Sequence, residues 1–436
     1  MAITIYIWGF LIWFSDWSWT WTNNISGIIF DTFLMITVAL SALYYLISFV
    51  SIIHTKKEIL YQFINDKAPF VTVQIPTFNE VIALRCAKRC LELDYPKERY
   101  EILIGDDSNN KDVSARIDAF AEAHSNVHVL RRGGNEGYKP GNLNNMLKYT
   151  NGEIIVIFDS DFLPPKNFLR RIVAPFMHSE DVQAVQARWT FLNANKNLIT
   201  ILASTILEVV HRIVLALLYS KYKISFICGS AEAVRKDTLV RLGGWKTGSL
   251  TEDIDYSLRL LKSGYRIVYL NNLECASEVP FTPSDYYRQQ MRWAYGVTRA
   301  YIDHGIDILK SRILASNEKL CIYFVGSGYM LTFLIMILIV SGFINFITNP
   351  AEPINFQKFF GELGRNILIT SGFLFASAVA LYQSRNLSRL IKAFISSFSY
   401  GLVAVYYTNK GVIKAFLNKP MKWYMLNKTG MPIRQK

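Results

Sequence analysis

The sequence predicts an α/β domain with a mostly parallel sheet, inserted between transmembrane helices, and three observations predict it. The 436 residues are 51% hydrophobic, 14% aromatic and only 19% charged, with a mean hydropathy of +0.19. That is too apolar for a disordered chain or an ordinary soluble enzyme and too long for one small module. Membrane-length apolar stretches stand near both ends, whereas the middle alternates short apolar runs with charged amphipathic ones.

Residues 27–53 supply the roughly 20 apolar residues that a 30 Å hydrocarbon core requires, with Asp31 as their one acid. The tryptophan-rich stretch 3–21, which contains Asp16, is either a first span or an interfacial helix. No Lys or Arg precedes Lys56, so a basic signal-peptide n-region is missing, and the positive-inside rule puts the domain that follows in the cytosol.

Within 54–319, the runs 70–75, 100–105, 127–130 and 154–158 read as buried strands, mostly separated by helix-length segments. Such alternation means a largely parallel sheet, whose ligands bind beyond the carboxyl ends of the strands. Asn79, Asp106, Asp107, Asp159 and Asp161 stand at those ends. Three more apolar segments follow, at 320–347, 367–382 and 387–408. Three crossings would leave the lysine-rich, acid-free tail from Asn409 outside, against the positive-inside rule. One of the last two is therefore expected to be re-entrant or interfacial.

The net charge of +13 suits nucleic acid, anionic lipid or a phosphate-bearing substrate alike, but much of the basic excess is juxtamembrane, where lipid is the nearer anion. Nucleic acid is not expected as a partner. The five scattered cysteines fit neither a zinc site nor a disulfide scaffold. Cys86 and Cys90, at i and i+4 of one helix, are expected to pack.

Asp159-Ser160-Asp161 brings two carboxylates out together at a strand end, an arrangement suited to Mg²⁺ or Mn²⁺ bridging to a diphosphate. Asp106-Asp107-Ser108 ends an earlier strand and is either a ligand for a base or ribose hydroxyl or a helix cap. Lys139, in a Gly-rich stretch from Gly137 to Asn144, is placed to neutralise phosphate. Thr251-Glu252-Asp253 opens a helix, where Thr251 can cap and the acids meet the helix dipole. Gln289 and Arg292 share one face of a helix beginning near Pro283, with Trp293 beside them. An amide, a guanidinium suited to diphosphate and an indole suited to a sugar face are thus presented together.

In this order the motifs, with Val73-Gln74-Ile75-Pro76-Thr77-Phe78-Asn79-Glu80 and Gln186 to Asn193, resemble the processive family 2 glycosyltransferases. That group includes cellulose synthase, its plant cellulose-synthase-like relatives, hyaluronan synthase and poly-N-acetylglucosamine synthase. The resemblance covers about residues 71–299 and is nearest the glucan and mannan synthase-like branch. It implies a GT-A-like domain in which Asp106 and Asp107 contact the nucleoside, and Asp159 and Asp161 hold the metal and diphosphate. Asp253 would then be the general base beside Glu252, while Gln289 and Arg292 steady the diphosphate. Trp293 and Cys228 of Phe226-Ile227-Cys228-Gly229-Ser230 would face the acceptor. Trp423 to Lys428 is similar in spacing to the gating loop of cellulose synthase, with Leu426 where Thr is usual and Lys428 toward the diphosphate.

The expected protein is an inverting, processive β-glycosyltransferase of the plasma membrane that uses Mg²⁺ or Mn²⁺ and exports a growing polysaccharide. Its nucleotide-sugar donor is UDP-glucose, GDP-mannose or UDP-N-acetylglucosamine, with a glucan or mannan product favoured. A transferase to a lipid acceptor is the alternative within this chemistry, and a transporter with a regulatory nucleotide-binding domain lies outside it. The expected units are 1–53 (membrane), 54–282 (cytosolic domain), 283–319 (interfacial), 320–408 (membrane) and 409–436 (basic tail). Oligomeric state is not legible.

Overall fold

The computed structural model describes residues 2–53, 60–349 and 355–430. Lys56, on which the orientation of the first span rested, lies outside them, as do Arg434 and Lys436. Seven strands form one sheet: β1 (Val71–Thr77), β2 (Tyr100–Asp106), β3 (Val127–Leu130), β4 (Ile154–Ile157), β5 (Val182–Phe191), β6 (Glu232–Arg235) and β7 (Arg266–Ser277), in the order β3-β2-β1-β4-β6-β5-β7. Pairing is parallel except for β6, which runs antiparallel to β4 and β5. The four expected strands recur within two residues of their predicted ends. β1, β2 and β4 are buried along their whole length, which is why they read as unbroken apolar runs rather than alternating ones.

The antiparallel β6 sets the site. Its pairing places Glu232 opposite Ile157, so the start of β6 lies beside the carboxyl end of β4 and its Asp159-Ser160-Asp161 turn. Cys86 and Cys90 lie on the Ala83–Leu91 helix and are fully buried in the core beneath β1, as the packing expectation requires.

The apolar segments differ from their sequence reading in three ways. The first is one continuous helix, Ala2–Ile53, not two pieces. At 1.5 Å per residue its 52 residues extend roughly 78 Å, well beyond one bilayer. Second, Leu198–Tyr222 is long and apolar enough to cross a membrane, yet two-thirds of its most apolar window is buried, between the sheet and the helices Gly372–Gln383 and Leu387–Phe416. Third, the helix Leu387–Phe416, also long and apolar enough to cross a membrane, packs along Leu198–Tyr222 and the Pro283–Lys310 helix. Arg389 pairs with Glu208 at 3.6 Å near its start. Ala404 packs with Ile199, Leu202 and Tyr286 at its middle, and Tyr407 stacks on Tyr287 at 5.0 Å. Gly411 follows, so close to the Pro283–Lys310 helix that a Cβ there would stand 2.3 Å from the Met291 carbonyl oxygen.

One arrangement of these helices satisfies the parity that the tail's lysines require. Ile12–Ile53 runs toward the domain, Ser316–Thr348 runs away from it, and the pair Phe356–Thr370 and Gly372–Gln383, bent by 59°, returns. Asn23 bonds Thr348 at the far end of these helices, Gly372 rests on Ser41 midway, and Gln383 bonds Ser51 near the domain. If these three cross a membrane and Leu387–Phe416 does not, the tail and the domain lie on one side, as the tail's lysines lead one to expect. Single cysteines at exposed Glu122 and Lys422 should therefore react with an impermeant maleimide from one face of sealed vesicles, and one at Gln357 from the other. Four of the five native cysteines are buried and Cys228 is half-buried, so background labelling should be low.

Candidate active site

A cavity of about 180 Å³ opens at the carboxyl ends of β1 and β4. Its lining brings together Asp107, Lys139, Asp159, Asp161, Cys228, Glu252, Asp253, Gln289, Arg292, Trp293 and Lys428, residues drawn from across more than 300 positions of sequence. Of the polar residues singled out at the strand ends, Asn79 and Asp106 are not on that wall.

Asp106, the last residue of β2, is instead tied down beneath the site. It accepts from the Ser108 amide at 3.0 Å, the Ser114 hydroxyl at 2.8 Å and the Arg131 Nε at 2.9 Å. Burial alone would raise its pKa, but these donors outweigh that and hold it below the usual carboxylate value. The cap expected of Asp107 or Ser108 is made by Asn110, whose side chain accepts from Asp112 and Val113. Asp107 is held by a two-pronged Arg132, at 2.9 and 2.6 Å, and borders the cavity.

Lys139 lies on the Tyr138–Leu147 helix, where its ammonium is 2.8 Å from Asp159, 3.4 Å from Glu252 and 2.5 Å from the Gly229 carbonyl. Burial would lower its pKa, but the charges of Asp159, Glu252 and Glu232 overcome this and raise it, so it stays charged. Gly229 adopts φ +87°, a conformation that side chains resist, and a Cβ there would meet Asp253 at 3.4 Å and Lys139 at 3.5 Å. Its amide donates to Glu232 at 2.7 Å.

Glu252 and Asp253 open the Glu252–Lys262 helix as expected, but Thr251 makes no capping bond. Its buried hydroxyl packs instead against Gly296 of the Pro283–Lys310 helix, which seats one helix on the other. The Asp253 pKa is pushed up to about 7, first by burial and then by the Glu252 charge, with Lys139 opposing. Glu232 is raised well above the carboxylate range, again by burial first and then by Asp253.

Thr282 caps the helix that carries Gln289, Arg292 and Trp293, and Pro283 occupies its first turn. Arg292 donates to the Leu250 carbonyl at 3.2 Å, and the Gln289 Oε1 is buried with no partner. Enclosure lowers the Arg292 pKa, while Glu252, Asp159 and Asp253 pull it back up. Across the cavity stand Trp189, whose indole N–H donates to the Ser230 carbonyl at 3.0 Å, and Cys228, whose amide donates to Gln186 at 2.7 Å. Burial raises the Cys228 thiol, which keeps it un-ionised.

The tail closes the remaining side. Trp423 stacks on Tyr138 with centroids 5.9 Å apart, and Arg288 lies 5.3 Å over the Tyr424 ring. Lys428 reaches Asp161 at 2.8 Å and Glu80 at 3.1 Å. Sequence reasoning assigned no role to Glu80, Glu232, Glu278, Tyr138 or Asn427. Glu80, Tyr138 and Asn427 stood in quoted segments, but Glu232 and Glu278 carry no local pattern that marks them.

Asp159 and Asp161 are hard oxygen donors side by side at a strand end, and they fit a small divalent cation. Among the described residues no group of three or more His, Cys, Asp or Glu is placed to hold a metal ion. Two carboxylates therefore leave the other positions to water and to diphosphate oxygens, as Mg²⁺ and Mn²⁺ prefer.

A model of the glycosyl transferase family group 2 matches residues 154–408, more than half of the chain. The chain belongs to that family. The family 2 chain is 31% identical over 260 residues to the probable glucomannan 4-beta-mannosyltransferase 7 of Oryza sativa subsp. japonica, a match covering 58% of this chain and 44% of that one. It is also 31% identical over 265 residues to the glucomannan 4-beta-mannosyltransferase 2 of Arabidopsis thaliana, covering 59% and 49%. The match thus spans about half the length of these curated relatives. Among solved structures, the mannosyltransferase PcManGT from Pyrobaculum calidifontis, in complex with GDP-Man and Mn²⁺, superposes with a TM-score of 0.60 at 17% identity, covering 86% of this chain and 99% of that one. The sheet is accordingly GT-A-like, as the resemblance implied.

The Asp107–Arg132 pair sits at the edge of this family 2 site, with side chains only 5% and 17% exposed. Arg132→Ala would strand a buried carboxylate and should cost about 3 kcal/mol, seen as a lower unfolding temperature of the detergent-solubilised protein.

Proposed function

We propose that this chain is an inverting hexosyltransferase that forms a β-glycosidic bond from a nucleoside-diphosphate sugar, with GDP-mannose the favoured donor over UDP-glucose and UDP-N-acetylglucosamine. The observation that carries the reading is the convergence of Asp159, Asp161, Asp253 and Arg292 on one cavity. The donor preference rests on the curated relatives, named as mannosyltransferases, and on the GDP-Man bound to the fold relative.

In this reading the acceptor enters between Trp293, Trp189 and Cys228. Its hydroxyl oxygen bonds to the anomeric carbon as the carbon–phosphate oxygen bond breaks. The hydroxyl proton passes to the Asp253 carboxylate, and the leaving electron pair goes to the diphosphate oxygen. A carboxylate whose pKa lies near neutrality is a stronger base than an ordinary one while still ionised enough to act. Arg292, with the Gln289 amide beside it, would offset the growing negative charge electrostatically. A Mg²⁺ or Mn²⁺ ion on Asp159 and Asp161 would supply further positive charge there. Lys139 holds Asp159 and Glu252 at fixed spacing, and Asp107 borders the nucleoside end.

Two readings of the acceptor follow. The expected polysaccharide exporter needs a polar path through the membrane helices. However, only 17% of the most apolar window of Ile12–Ile53 is buried, and 6% of that of Ser316–Thr348. These helices leave most of their surface free for lipid, and a membrane-borne acceptor elongated at the bilayer surface is the second reading. The basic tail and the two domain-bound apolar helices support a membrane location with the cavity on the cytosolic face.

The decisive assay incubates membranes with radiolabelled GDP-mannose, UDP-glucose or UDP-N-acetylglucosamine and Mn²⁺. Transfer from GDP-mannose is expected, with Asp253→Asn slowing turnover about a hundred- to ten-thousandfold while nucleotide affinity stays within a fewfold. Loss of nucleotide binding in that variant would argue against the base assignment. Because Asp253 must be ionised to accept a proton, kcat/KM should fall below about pH 7, near tenfold per unit. A short, solvent-extractable product would identify a lipid acceptor, and a long insoluble one a polymer.

A further inference from the structure

The Lys428 ammonium sits in a nest of oxygen ligands. Its Nζ is 2.8 Å from Asp161 Oδ1 and 3.1 Å from Glu80 Oε1, and it donates to the Ser160 hydroxyl at 2.6 Å. The other Asp161 oxygen is also engaged, accepting the Glu278 amide at 3.0 Å. Both oxygens of this carboxylate are therefore taken.

The segment that delivers Lys428 is anchored on both sides. Asn427 donates to Asp285 at 3.0 Å, and the Thr429 amide and hydroxyl both donate to Glu278, at 2.7 and 2.6 Å. Glu278 also pairs with Arg85 at 3.2 Å, so the latch on the tail and the hold on Asp161 come from one residue. With the segment seated, the cavity of about 180 Å³ is smaller than the roughly 300–1,000 Å³ of clefts that take small-molecule ligands. Movement of this wall would enlarge the space open to a nucleoside diphosphate sugar.

We propose that Lys428 and a divalent cation compete for Asp161, so that the segment carrying Lys428 is a built-in plug which cation loading displaces. Two cations cannot share one carboxylate oxygen at bonding distance without strong repulsion in so enclosed a site. The lysine keeps Asp161 neutralised until the metal arrives, and its departure then enlarges the cavity for the donor. The plug would make metal binding the step that opens the site, and it rests on the transferase reading above.

The test uses the full-length protein in nanodiscs and follows Mn²⁺ by the electron paramagnetic resonance of the free ion, without nucleotide. Lys428→Met should bind Mn²⁺ about tenfold more tightly than the wild type, and Lys428→Arg, which keeps the charge, should not. Independently, Mn²⁺ should speed tryptic cleavage after exposed Lys422 in the wild type, whereas Lys428→Met should be cut rapidly without it. Equal Mn²⁺ affinity in wild type and Lys428→Met, with GDP-mannose still bound in the presence of Mn²⁺, would overturn the competition and leave the transferase reading intact. Failure of every form to bind either Mn²⁺ or GDP-mannose would overturn both.

Discussion

The site is organised by an imbalance of charge. Six carboxylates, Glu80, Asp159, Asp161, Glu232, Glu252 and Asp253, crowd the junction of β4 and β6 with three cations, Lys139, Arg292 and Lys428, set among them. Carboxylates so close cannot all be ionised at ordinary pKa values unless cations are interleaved. Lys139 supplies one such link, bridging Asp159 to Glu252, while Asp253 and Glu232 have raised pKa values, first through burial and then through their carboxylate neighbours. That local excess of negative charge also suits the site to a divalent ion. Binding and proton transfer thus draw on one electrostatic feature.

That feature requires β6 to run backwards. A fully parallel sheet would carry the next strand's amino end away from the Asp159 turn, whereas the antiparallel β6 starts beside it and brings Gly229 and Glu232 there. The Pro283–Lys310 helix completes the wall by lying on the Glu252–Lys262 helix through the Gly296–Thr251 contact. Its other side receives Gly411 and Tyr407 of the domain-bound apolar helix. The apolar helices and the candidate site are therefore joined through the Pro283–Lys310 helix, and Leu207 of Leu198–Tyr222 also reaches the cavity wall.

Much of this was legible in the residues themselves. β1, β2 and β4 are buried on both faces, so their composition is continuous and apolar, and the acids that follow them stand out. The motifs around Asp159, Asp253 and Arg292 were each short, but their order was informative. Hydropathy was less reliable. It cannot distinguish a helix that would cross lipid from one like Leu198–Tyr222, two-thirds of whose most apolar window is buried within the protein.

Asp106 and Asp107 make the general point. They are adjacent in sequence and chemically identical, and sequence reasoning treated them alike, yet the alternation of a strand end turns one beneath the sheet to Arg131 and the other to the cavity edge with Arg132. The sequence by itself determined the strand ends, the acidic motifs and the family, because these depend on local composition and order. Which of those acids face a common ligand, how Lys139 and Lys428 divide them, and which apolar helix stays on the domain were decided only in three dimensions, because each depends on contacts between residues far apart in the chain.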